Sequence, residues 1–198
     1  GFSIYQKAVP LRPGLYKIDI VIKDVNSGNV GVLNERLPVS SIPDDKLDAS
    51  SLILADQMEP VSSKDVGVGQ FVLGSTKVRP KLDAAFHEDQ PMGVYLQFYN
   101  LKVDDKTHKN NMSLDLKVMQ GQQTISHEVK TGADLKQNGE QITFEQTFSP
   151  KTLPPGKYKL DIQATDLLSK QTVSRSADFT VTPPLVIPSV ATSGATGS

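Results

Sequence analysis

Cysteine is absent from this chain of 198 residues. That excludes a disulfide framework, a thiolate metal site and a cysteine nucleophile together. It leaves export open, since a bacterial domain of this size can bury enough surface without crosslinks. An excess of one charge is missing too, with 21 Lys plus Arg against 22 Asp plus Glu. No global field therefore gathers phosphate backbones or anionic lipid, and nucleic acid is not an expected partner. No apolar run approaches the ~20 residues of a membrane-spanning helix, and no basic-then-apolar signal opens the chain. Either the chain is cytosolic or its targeting segment lies outside these residues. Tryptophan is absent as well, and no window carries a helical period.

What the chain does contain is an internal repeat. Phe2 to Val39 lies without a gap over Phe144 to Val181. Phe2, Leu11, Pro13, Gly14, Tyr16, Lys17, Asp19, Ile20, Asp24, Ser27 and Val39 meet Phe144, Leu153, Pro155, Gly156, Tyr158, Lys159, Asp161, Ile162, Asp166, Ser169 and Val181. In each copy a first strand leads to a Pro-Gly turn, where proline presets φ and glycine accepts positive φ; Gly156 is expected there at φ > 0. In the first copy Tyr16, Ile18, Ile20 and Ile22 alternate with Lys17, Asp19 and Lys23, and in the second Tyr158, Leu160, Ile162 and Ala164 alternate with polar residues. Period two with one charged face means a strand half buried against a second layer. A hairpin at Asp24 or Asp166 and a last strand ending at Val39 or Val181 complete the unit.

This pattern is that of the closing half of an immunoglobulin-like or fibronectin-like sandwich. The expected fold is all-β: a complete immunoglobulin-like antiparallel sandwich over 41–182, preceded at 1–40 by the last three strands of a second, incomplete one, and followed by a Pro/Ser/Gly-rich tail at 183–198. The second copy has about 100 residues of further strands ahead of it, whereas the first has none in this sequence. The face of Tyr16, Ile18, Ile20 and Ile22 is then an interaction face. Its expected cover is an upstream part of the same protein, another copy or another subunit.

Between the two units, Ser40 to Asp48 reads as a linker and Met58 to Gly69 as an exposed loop. Strands are expected at Ser51 to Ala55, Gln70 to Leu73, Gly93 to Leu101, Met112 to Val118, Thr124 to Lys130 and Gln141 to Phe148, giving a sandwich of roughly seven to nine strands. The tail holds Leu185, Val186, Ile187 and Val190, apolar enough to dock as an extra strand as an alternative to a disordered linker.

The stretches KIDIVIKDVNSGNVG, LDASSLILADQMEPV, GQFVLGSTKVRP and GVYLQFYNLKVDDKTHK resemble the β-rich C-terminal part of large acidobacterial proteins that carry a GWxTD domain. The resemblance reaches nearly to Val181. It implies an exported bacterial protein, periplasmic or extracellular, with no established activity; the name-giving motif needs a tryptophan and is expected upstream.

Catalytic chemistry is harder to assemble. His87, His108 and His127 fall in different segments with no partner at metal-ligand or triad spacing. Asp24 to Asn29 offers oxygen ligands but lacks the acidic series of a calcium loop, so an Asx-stabilised turn is expected. Gly67-Val68-Gly69 lacks the lysine and helix of a phosphate loop, and the pairs Asp44-Asp45 and Asp104-Asp105 sit in solvated loops. No cofactor, metal site or enzyme activity is expected. One alternative stays open: Tyr95 and Tyr99, two apart on the face of a strand opposite Val94, Leu96 and Phe98, could form an aromatic platform for sugar rings. Cross-strand pairing, or packing against a neighbouring layer, is the competing reading of the same two tyrosines.

Overall fold

The computed structural model describes residues 4–131, 135–138 and 141–184. The tail residues Leu185, Val186, Ile187 and Val190 lie outside them. More than half of the chain is strand, and among the described residues the only helical element is a single 3-10 turn at Pro150–Thr152. The chain divides into two compact units, Gly1–Lys46 and Leu47–Ser198.

The first unit is a two-stranded antiparallel sheet of β1 (Gly14–Lys23) and β2 (Val30–Val39), paired from Gly14 opposite Val39 to Lys23 opposite Val30. The second unit is a sandwich of two sheets. One runs in the order β10 (Gln123–Thr131), β9 (Met112–Gln120), β13 (Gly156–Asp166), β14 (Thr172–Thr182) and β7 (Ala85–His87), where β7 is parallel to β14. The other runs β11 (Lys136–Asn138), β12 (Gln141–Phe148), β8 (Met92–Tyr99), β4 (Ile53–Pro60), β6 (Thr76–Pro80) and β5 (Val72–Leu73), with β3 (Asp48–Ala49) pairing on β8.

Alternation explains why these segments stack. Val94, Leu96 and Phe98 of β8 and Ile142 and Phe144 of β12 face Leu114 and Leu116 of β9, Leu160, Ile162 and Ala164 of β13, and Phe179 and Val181 of β14 in one shared core. On β9, β12, β13 and β14 each of these inward residues removes apolar surface from water while its outward neighbour is polar. A second, smaller cluster of Ala55, Val78 and Tyr95, with Ile53, Met58 and Leu73 against it, covers the opposite face of β8 and β4.

Several expectations need correction. The second unit holds twelve strands among the described residues, β3 to β14. Four of them, β3, β5, β7 and β11, are only two or three residues long. Such lengths are set by a neighbouring edge and carry no period of their own. Met58 to Pro60 belong to strand β4 and not to a loop. Gly156 is not at positive φ; it already pairs with Val181 as the first residue of β13, so the corner is made one step earlier, at Pro154 and Pro155.

Candidate functional site

The repeat survives down to individual hydrogen bonds. Every β1–β2 pair has its counterpart in β13–β14, as in Tyr16 opposite Leu37 and Tyr158 opposite Phe179. The hydroxyl of Tyr16 donates to the carbonyl of Arg12 at 2.8 Å, and that of Tyr158 to the carbonyl of Pro154 at 2.7 Å. The turns match likewise. The amide of Asn26 and the hydroxyl of Ser27 donate to the carboxylate of Asp24, as the amide of Leu168 and the hydroxyl of Ser169 donate to that of Asp166. Gly28 takes φ of 75° and Lys170 takes 63° to close the two loops. Both carboxylate oxygens of Asp24 are occupied by the turn's own donors, which is the Asx-stabilised geometry.

Surroundings separate the two copies. Asp166 is fully buried and also accepts from the amide of Lys102 at 2.9 Å. Burial works against its ionisation, but the bonds from Ser169, Lys102 and Leu168 outweigh it and hold the carboxyl below its usual range. Asp24 is held low chiefly by the Ser27 hydroxyl and the Asn26 amide, at an exposed site. On the strand face the contrast is larger. Tyr158, Leu160, Ile162 and Ala164 are exposed by 3%, 1%, 0% and 0%, whereas Ile18, Ile20 and Ile22 are exposed by 36%, 44% and 69%. Tyr16 is half-buried, and Leu33 and Leu37 on β2 extend the same apolar face.

The tyrosine platform is not formed. Tyr95 is only 2% exposed, packed with Ala55 and Val78, and Tyr99 is half-buried. The two rings are held in a ladder rather than presented: the amide of Gln97 donates to the Tyr95 hydroxyl at 2.7 Å, and the Tyr99 hydroxyl donates to the carbonyl of the same Gln97 side chain at 2.9 Å. Desolvation, with smaller contributions from the charge of Glu145 and from Tyr99, pushes the Tyr95 phenol up to about 12. A ring only 2% exposed, packed among Ala55 and Val78 of the neighbouring strands of its own sheet, has no open face for a sugar ring.

Two residues that join segments of the sandwich were not singled out from sequence. The guanidinium of Arg175 donates to the carboxylate of Asp48 at 2.6 Å and to the carbonyls of Ser50 and Ala49, tying β14 to β3 across the two sheets. The side-chain carbonyl of Gln171 accepts from the amide of Leu47 at 2.9 Å.

The histidines stay apart. His87 lies against Thr182 and the Pro183 carbonyl, His108 closes a turn at φ of 53°, and His127 sits 3.0 Å from Asp115. Among the described residues no group of three or more His, Cys, Asp or Glu is placed to hold a metal ion, and no helix is long and apolar enough to cross a membrane. An open depression of about 750 Å³ beside Tyr158 and Phe179 is lined by Lys157, Lys159, Asp83, Asp161 and Asp178. Its charges nearly cancel and select no ligand class.

No protein-family model matches the chain, and no curated protein does. Among solved structures, a β-glucosidase from Listeria innocua in complex with glucose is similar at 10% identity and a TM-score of 0.33. The match covers 72% of this chain and 16% of the glucosidase chain. At that score the likeness says nothing of what this chain does.

Proposed function

We propose that the chain is a non-catalytic structural or protein-interaction module of a secreted or cell-envelope bacterial protein, built on immunoglobulin-like units and working within a larger assembly. The observation that carries this reading is the exposed row Ile18, Ile20 and Ile22, whose repeat counterparts are core residues. Large aliphatic side chains in a row on a two-stranded sheet are a docking surface, since each is worth roughly 1.5–3 kcal/mol when fully buried. The immunoglobulin-like assignment is supported by the tyrosine at the start of β13, bonded back to the chain four residues earlier, a corner that recurs in such sandwiches. The bacterial envelope setting is supported by the sequence resemblance.

The test is the double substitution Ile20→Asp with Ile22→Asp. Binding of a dye that fluoresces on apolar surface should fall by half or more, while the main thermal transition stays where it was. A lowered transition would show that these side chains serve the chain's own core, and the interaction reading would fall. Saturable turnover of a chromogenic ester, phosphate, glycoside or peptide would refute the non-catalytic part.

A further inference from the structure

The second copy of the repeat shows what the first hairpin is built to meet, and this inference rests on the interaction reading above. Within Leu47–Ser198 the hairpin β13–β14 has three kinds of neighbour. β9 adds antiparallel to the edge of β13, with Ile162 opposite Leu116 and Asp161 opposite Lys117. The sheet containing β8 and β12 covers its apolar face. β7 adds parallel to β14, where the amide of Thr180 donates to the carbonyl of Ala84 at 2.9 Å.

The hairpin β1–β2 keeps two of these three provisions. Its face repeats the apolar row, and its β1 edge repeats Lys17 and Asp19 where β13 has Lys159 and Asp161. β1 pairs with β2 alone among the described strands, so the edge that β9 occupies on β13 carries no strand on β1. The third provision is withdrawn. Thr180 is matched by Pro38, which has no N–H to donate, so a strand cannot dock on β2 as β7 docks on β14.

We propose that β1–β2 is the closing hairpin of a further sandwich, completed in cis by antiparallel strands that precede it in the polypeptide. One strand adds to β1 in the register that β9 takes on β13, and an opposed sheet rich in large aliphatic and aromatic residues covers Tyr16, Ile18, Ile20 and Ile22. The cis source follows from the order inside the repeat, because among the described residues the strands that cover β13–β14 all stand ahead of it in the chain. In that register Ile18, Ile20 and Ile22 lie opposite residues in the positions of Val118, Leu116 and Leu114, and Asp19 opposite the position of Lys117. β2 remains an edge, blunted by Pro38.

The experiment grafts a second copy of residues 41–148 ahead of Gly1 in the full chain and follows hydrogen exchange in peptides spanning 14–24 and 30–39. In the parent, these amides should exchange within about tenfold of an unstructured chain, because an isolated two-stranded hairpin is marginal in water. In the graft they should slow by at least 100-fold, with the protein a monomer by sedimentation. A graft whose copies of Leu96 and Leu114 are changed by Leu96→Asp and Leu114→Asp should return them to the parent rate. Position 33 differs between the copies, where the second has Arg175, so a second graft carries Leu33→Arg to restore the bridge to the copied Asp48. Exchange unchanged in both grafts would overturn the proposal, even if the dye test had shown the face to be sticky. So would a parent already protected on β1 and sedimenting as a dimer, which would make a second copy the occupant. Slowing on β2 alone would overturn the register.

Discussion

Replacing Asp166 by alanine is the sharpest perturbation the structure offers, because the same turn exists twice in one molecule. In the second copy the carboxylate is fully buried and accepts from the Ser169 hydroxyl at 2.6 Å, the Leu168 amide at 2.9 Å and the Lys102 amide at 2.9 Å. Asp166→Ala leaves three donors near a buried site without their acceptor. A buried orphaned donor costs about 1–3 kcal/mol, and the Ser169 hydroxyl can rotate to another acceptor, so the sum is about 3–5 kcal/mol rather than the full three-bond total. For a unit of this size that is a fall on the order of 10 °C in Tm. In the first copy Asp24→Ala removes the same turn bonds at an exposed site, and the main transition should not move.

The readout is urea and thermal unfolding followed by far-UV circular dichroism, since the chain has no tryptophan to report. A pH series adds an independent check. The folded-state carboxyl of Asp166 is held low, so its ionised form contributes stability above the unfolded value near 3.9, and that contribution is lost as pH falls through the lower folded value. Asp166→Asn should therefore flatten the acid limb of the stability curve below about pH 4. Equal losses from Asp166→Ala and Asp24→Ala, or an acid limb unchanged by Asp166→Asn, would refute the claim that burial and the Lys102 amide distinguish the two turns.

Other positions give shorter tests. Desolvation pushes Tyr95 up to about 12 from an ordinary 10.0, so stability is fully present below pH 10 and is lost as pH rises toward 12; Tyr95→Phe should remove this alkaline loss, followed by tyrosinate absorbance and unfolding together. Gly93→Ala would bring a Cβ to 3.1 Å from the Met58 Cβ and 3.3 Å from the Ala55 Cβ. Neither neighbour is a flexible tip, and a loss of about 1–3 kcal/mol in chemical denaturation is expected. Tyr158→Phe orphans the Pro154 carbonyl and should cost about 1 kcal/mol by the same assay, with Tyr16→Phe leaving the main transition in place.

The hairpins were legible in the sequence because everything that shapes them is local. Asp and Ser three apart set the turn, a tyrosine two residues after the glycine sets the corner, and period two sets the face. What strand β8 does on its second face stays open in the sequence, because alternation tells the two faces apart without telling whether the second is covered. The missing signal was charge. From Met92 to Leu101 no charged residue occurs on either face, and a strand covered on both sides carries none. Gly156 was misplaced for a related reason: Pro-Gly marks a change of direction, but which residue absorbs it depends on the partner strand, and Val181 already pairs with Gly156.

The differences between the copies are as informative as the identities, and they fall in a pattern. The side chains that bond within the turn and the corner are the same in both, as with Asp24 and Asp166, Ser27 and Ser169, Tyr16 and Tyr158. Three residues that reach out from β13–β14 to the rest of its sandwich do change, whereas Asp166, which also receives the Lys102 amide, does not. Arg175, which reaches Asp48 and β3, is matched by Leu33; Thr180, whose amide reaches Ala84, is matched by Pro38. Gln171, whose side chain receives the Leu47 amide, is matched by Asn29, one methylene shorter. On the proposal made above, the strands that complete the first hairpin would therefore not be a replica of β3 to β12. They would meet an aliphatic side chain where Arg175 meets an acid, leave the β2 edge at Pro38 alone, and keep the antiparallel edge on β1, where the two copies agree at Lys17, Asp19 and Ile20.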